Sequence, residues 1–120
     1  MDIELPLDFK EFLKLLNENE VRYLLIGGYA VGYHGYPRAT NDMDVWIAVH
    51  PENAGRMGVP PMRLEISTGI SGVDFEECFA SRIVDALDGI QVNIIDLPHL
   101  KTNKKAAGCL KDLADLENLP

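Results

Sequence analysis

LLIGGYAVGYHGYPRATNDMDVWIAV, residues 24–49, is the stretch whose reading decides the fold. It runs from a hydrophobic strand through a glycine pair, Gly27-Gly28, and a polar connection to a second strand carrying Asp42 and Asp44. Side chains alternate faces along a strand with a period of two, so the two aspartates are expected on one side of the sheet. Like charges held that close repel, and a cation between them removes the repulsion. Glycines at a strand end let backbone approach a ligand closely. The pattern points to a divalent metal on the aspartates and a phosphate on the glycines.

Outward from this stretch, elements alternate. Residues 6–17 put Phe9, Phe12, Leu13 and Leu16 on one helical face. Residues 21–26 read as a buried strand that Gly27 and Gly28 stop. A short helix is expected over 29–35, ended by Pro37. The second strand spans 43–49, with Met43, Val45, Ile47 and Val49 on one face and Asp44, Trp46 and Ala48 on the other. Residues 50–61 read as loop, and 62–67 as a third strand with Arg63, Glu65 and Ser67 on one side. Asp74 or Ser71 can cap a helix expected from about 74 to 87, with Phe75, Cys78, Phe79, Ile83, Ala86 and Leu87 inward. Asp88-Gly89 is a turn signal, and 90–95 a fourth strand. Pro98 opens a helix to about 107, Gly108 interrupts it, and 110–119 is a last helix turning Leu110, Leu113, Leu116 and Leu119 inward. The interleaving implies an α/β or α+β fold, a small mixed β-sheet flanked by helices, in one domain over residues 1–120.

The bulk numbers narrow the function classes. A chain of 120 residues, 47% hydrophobic and 25% charged, suits one globular core. A net charge of -8 offers no basic field for long nucleic acid, though a bound metal can supply positive charge locally for a nucleotide. The N-terminus MDIELPLDFK has no apolar run, so no signal peptide is expected, and no stretch approaches membrane-span length. Cys78 and Cys109 have neither zinc-ligand nor CxxC spacing, which fits reduced thiols in the cytoplasm. His34, His50 and His99 share no ligand spacing either.

Two familiar phosphate motifs are excluded. A Rossmann site needs GxGxxG and one acid about twenty residues on, whereas here GGxxxG is followed by two acids about fourteen residues on. No GK[ST] follows, so the Walker loop fails as well. A glycine pair alone is usually a tight turn, and an Asp-x-Asp alone is often exposed. Their joint spacing, with each half at a strand end, carries the weight.

LIGG, thirteen residues, then DMDV resembles the signature of the DNA polymerase β-like nucleotidyltransferase superfamily. The longer string GGYAVGYHGYPRATNDMDVWI is similar to its small, minimal-type members, and the likeness continues through PPMRLEISTGISGVDFEE and LKTNKKAAGCLKDLADLENL. The resemblance implies that Asp42, Asp44 and a third carboxylate hold two Mg2+ ions. Such ions clamp a nucleoside triphosphate while an acceptor hydroxyl attacks its α-phosphorus and pyrophosphate leaves. Mg2+ takes hard oxygen ligands and keeps exchangeable waters, as this chemistry requires. Glu65 in RLEIS matches the third acid, where relatives usually carry Asp, and Asp96 is its rival.

The resemblance also implies that Gly27 and Gly28 close around the β- and γ-phosphates. Arg38 and Thr40 could contact phosphate or brace the loop, with a salt bridge to an aspartate an equal reading for Arg38. Lys104 or Lys105 could face the triphosphate, with a solvated lysine the stronger alternative for either. Lys111-Asp112 matches the family's closing motif, read as structural support. Trp46 could stack on a base, though core packing is the better expectation. Cys109 stands where relatives usually carry Arg, and nothing marks it as a nucleophile.

Relatives usually have more chain, a helix and an extended piece, where this sequence has only PENAGRMGVPP. A shortened middle would uncover apolar surface for a partner or another copy of the chain, and it puts activity in question more than fold. The expected function is Mg2+-dependent transfer of a nucleoside monophosphate, AMP from ATP, to an unidentified acceptor such as a protein. The alternative is a catalytically degenerate module that binds nucleotide or a partner, as in a toxin–antitoxin pair.

Overall fold

A computed structural model describes residues 4–37, 43–48, 64–67 and 70–120, with 64–67 described by backbone alone. The elements in chain order are α1 (Leu7–Glu18), β1 (Tyr23–Ile26), α2 (Gly27–Tyr33), β2 (Met43–Ile47), β3 (Leu64–Ser67), α3 (Phe75–Ala80), β4 (Ile83–Leu87), β5 (Ile90–Ile94), α4 (Leu97–Ala107) and α5 (Leu110–Asn118). The strands form one mixed sheet in the order β3-β2-β1-β5-β4. β1 runs antiparallel to β2 and parallel to β5, β2 is parallel to β3, and β4 is antiparallel to β5.

Central β1 has all four residues, Tyr23 to Ile26, buried, as a strand covered on both faces requires. The Tyr23 hydroxyl donates to Asn17 Oδ1 at 3.0 Å, which draws α1 across the face carrying Tyr23 and its pleat partner Leu25. Phe9, Phe12, Leu13 and Leu16 of α1 are buried, and Phe9 meets Tyr29 of α2 edge to face at 6.1 Å. On the other face, Trp46 meets Phe75 of α3 edge to face at 5.1 Å. Trp46 is thus core, 2% exposed, and not a platform for a base. β2 was expected to present an apolar face and a mixed one; Met43, Val45, Trp46 and Ile47 are all buried, because helices cover both faces.

Three expectations are corrected. The helix expected over 74–87 ends at Ala80, and Ile83–Leu87 is a strand, so the sheet has five strands instead of four. Asp74 does cap α3, accepting from the Glu77 amide at 3.2 Å. The reason for the strand lies in Asp88 and Gly89, with φ +50° and +80°. Two successive left-handed residues make the tight turn whose twist matches a β-hairpin, with Leu87 opposite Ile90. The Asp88 carboxylate pins this turn to the chain start, accepting from the Leu5 amide at 3.0 Å and facing Lys10 Nζ at 3.5 Å. Second, the short helix begins at Gly27 and not at Tyr29, so the glycine pair opens α2 as well as ending β1.

The third correction concerns α5. Leu110 is 87% exposed and Leu113 45%, while Asp115 and Leu119 are buried. The inward stripe is Asp112, Asp115, Leu116 and Leu119, so Leu116 and Leu119 face inward as expected while Asp112 and Asp115 stand where Leu110 and Leu113 were expected. Lys104 sets that placement: its ammonium, buried on α4, lies 3.0 Å from Asp112 and 3.1 Å from Asp115. A buried ammonium needs carboxylates more than an adjacent leucine needs burial. Among the described residues no helix is long and apolar enough to cross a membrane.

Candidate functional site

The strand directions bring five chain positions to one end of the sheet. These are the C-terminal ends of β1 and β5 and the N-terminal ends of β2, β3 and β4. Ile26, the last residue of β1, pairs with Asp44 on β2, and Asp44 pairs with Glu65 on β3. Paired residues on neighbouring strands share a face of the pleat, so Asp44 and Glu65 occupy adjacent positions on one face. Trp46, two residues along β2, fills the core beneath that face.

Gly27 follows Ile26 with φ +67°. A Cβ built on it would land on the Asp44 carboxylate, with the carboxylate Cγ 2.9 Å away. The glycine turn and the second acid of the motif are therefore in van der Waals contact. Asp44 is half-buried, and Gly28 is buried in the first turn of α2. Asp42, Arg38, Thr40 and the 50–61 connection lie outside the described residues. Among the described residues, no group of three His, Cys, Asp or Glu side chains is gathered to hold a metal. The fit of a metal rests on Asp44 and the register of Glu65. Carboxylate oxygens from two adjacent strands are the hard donors that suit Mg2+.

Other candidates have structural work. Lys104 is committed to Asp112 and Asp115, so its charge joins α4 to α5. The Asp112 carboxyl is opposed by burial, yet the Cys109 thiol and the Lys104 ammonium hold it below the usual carboxylate range. Asp96, the rival third acid, caps α4: its Oδ1 accepts from the His99 amide at 3.1 Å and from His99 Nδ1 at 2.6 Å. His34 Nε2 donates to the Ile95 carbonyl at 2.7 Å, which ties the end of α2 to the end of β5. Burial, then the charges of Asp96, Asp74 and Glu77, push the Cys78 thiol up to about 11, so it stays protonated and inert.

One contact has no signal in the sequence. The Tyr33 hydroxyl donates to Asp85 Oδ2 at 2.6 Å across 52 positions, joining the end of α2 to edge strand β4. That bond, with burial and the Asp85 charge, pushes the Tyr33 phenol up to about 12. Asp85 is held below its usual range by Tyr33 and by the Ala86 amide. Only knowledge that 83–87 is a strand could have brought the pair together.

No protein-family model matches the chain, and no curated protein does. Among solved structures, an antigenic nucleotidyltransferase-like protein from Paracoccidioides brasiliensis matches at a TM-score of 0.57. The match covers 91% of this chain and 72% of that one, at 16% identity. The fold is nucleotidyltransferase-like. At that identity the likeness speaks for architecture alone. Gly27, Asp44 and the backbone position of Glu65 lie together at one end of that sheet.

Proposed function

We propose that the chain is a Mg2+-dependent nucleotidyltransferase of the DNA polymerase β-like superfamily, of minimal type. It would move a nucleoside monophosphate, AMP from ATP, to an acceptor hydroxyl and release pyrophosphate. The observation that carries this reading is the contact of Gly27 with Asp44, with Glu65 in register beside it. A glycine turn and a carboxylate pressed together at a strand end suit a phosphate and a cation bound side by side.

Asp42, Asp44 and Glu65 would hold the metal, which supplies positive charge to the phosphates that this acidic chain lacks. Glu65 is one methylene longer than aspartate and gives the site a longer reach from β3. Backbone at Gly27 and Gly28 would approach the β- and γ-phosphates, with Arg38 and Thr40 on the connection before Asp42. Lys104 leaves the proposed nucleotide set, because two carboxylates already hold its ammonium. The net charge of -8 disfavours long nucleic acid as the acceptor and leaves a protein or a small molecule.

Thermal unfolding with Mg2+ and a non-hydrolysable ATP analogue tests the site without knowledge of the acceptor. At a hundredfold excess over Kd, the folded state gains about 2.7 kcal/mol, and Asp44→Asn should lose that gain. No stabilisation of the wild-type chain overturns the reading. Stabilisation without pyrophosphate release from Mg2+–ATP, across candidate acceptors, assigns the chain to a nucleotide-binding module instead.

A further inference from the structure

The contact between Gly27 and Asp44 supports a role for Gly27 other than touching phosphate. We propose that Gly27 is a positioning residue whose missing side chain is the seat of the Asp44 carboxylate. Two observations converge on it. Gly27 has φ +67°, a left-handed conformation that crowds the Cβ of any L-residue with a side chain against its own backbone. Independently of that strain, a Cβ there would lie 2.9 Å from the Asp44 Cγ and nearer still to a carboxylate oxygen. Contacts that short do not occur between unbonded carbons, so even alanine must displace the carboxylate or the strand that bears it.

Asp44 has little freedom to yield by moving its backbone. Its residue is paired on both sides, with Ile26 and with Glu65, and its neighbours Met43 and Val45 are fully buried. The side chain itself would have to rotate. Gly27 therefore fixes where the carboxylate points, and in the proposed transferase this sets where the metal sits. That last step rests on the function proposed above, whereas the seating itself does not.

The test combines Gly27→Ala, Asp44→Ala and the double variant in the full chain. Thermal unfolding reads the seating. In the Asp44→Ala background the carboxylate is gone, and Gly27→Ala meets the backbone strain and a 3.0 Å contact with the Cβ that remains at position 44, lowering Tm by roughly 5–8 °C. With Asp44 present the same change should lower it at least about twice as far. Equal losses in both backgrounds overturn the seating. Mn2+ binding, followed by electron paramagnetic resonance on folded protein, reads the metal consequence. Gly27→Ala should weaken it about tenfold or more, in the range seen when groups that orient a ligand are removed. Affinity equal to wild type overturns the metal role of the glycine. If the wild-type chain binds no Mn2+, the proposed function fails, and the unfolding comparison still decides the seating.

Discussion

Asp44 is where the strand reading and the glycine reading meet. Its position opposite Ile26 follows from antiparallel pairing, and its carboxylate rests on Gly27. Asparagine keeps the shape of that side chain and removes its charge, so Asp44→Asn should abolish transfer and leave the fold intact. Pyrophosphate release against circular dichroism checks this, and unchanged turnover would refute the assigned role. The same scale holds the Tyr33–Asp85 bond. The phenol is raised to about 12 in the folded chain, above its ordinary value of 10.0. Its contribution to stability is therefore complete below about pH 10 and fades as pH rises towards 12. Asp85 is lowered, so its contribution is present above the ordinary carboxylate range and fades as pH falls through its lowered value. Tyr33→Phe should remove one late-titrating phenol from an absorbance titration and reduce this alkaline loss; an unchanged alkaline limb would refute it. Asp44 was legible in the sequence, because a two-residue period fixes faces without knowledge of the fold. Tyr33 was not, because its partner lies 52 positions away on a strand read as helix.

At the scale of elements, the strands beside Gly27 were legible and the helices after β3 less so. β1 and β2 are apolar, bounded by glycine or loop, and read the same locally and in the fold. Residues 74–87 satisfy a helical period, yet the Asp88-Gly89 turn requires an extended partner for β5, and the hairpin prevails after Ala80. In α5, leucine periodicity placed Leu116 and Leu119 inward as found, and Lys104 turned Asp112 and Asp115 inward in place of Leu110 and Leu113. That choice of face yields a measurable expectation. Lys104→Met would remove the cation from Asp112 and from Asp115, which is 1% exposed, and should cost roughly 3 kcal/mol or more in urea unfolding. The folded fraction should still respond to Mg2+ with an ATP analogue as wild type does. A Lys104→Met chain of full stability that had lost that response would return Lys104 to the nucleotide site.

Across the whole molecule, one end of a mixed five-stranded sheet holds the described positions of the proposed site while helices cover the central strands on both faces. The mixed sheet and flanking helices were legible from alternating periodicities, and the solved nucleotidyltransferase-like structure shares that architecture. The fifth strand was hidden, because β4 is a half-exposed edge strand without a continuous apolar run. The gathering of acids was legible only in part: Asp44 and Glu65 stand side by side in register, while Asp42 falls outside the described residues. A crystal structure with Mn2+ and a non-hydrolysable ATP analogue tests the central claim most directly, since anomalous scattering locates the metal. The account predicts Mn2+ on the carboxylates of Asp44 and Glu65, with the triphosphate against Gly27 and Gly28. Metal and nucleotide bound elsewhere, or Glu65 turned to the opposite face of the sheet with no other acid in its place, would contradict it.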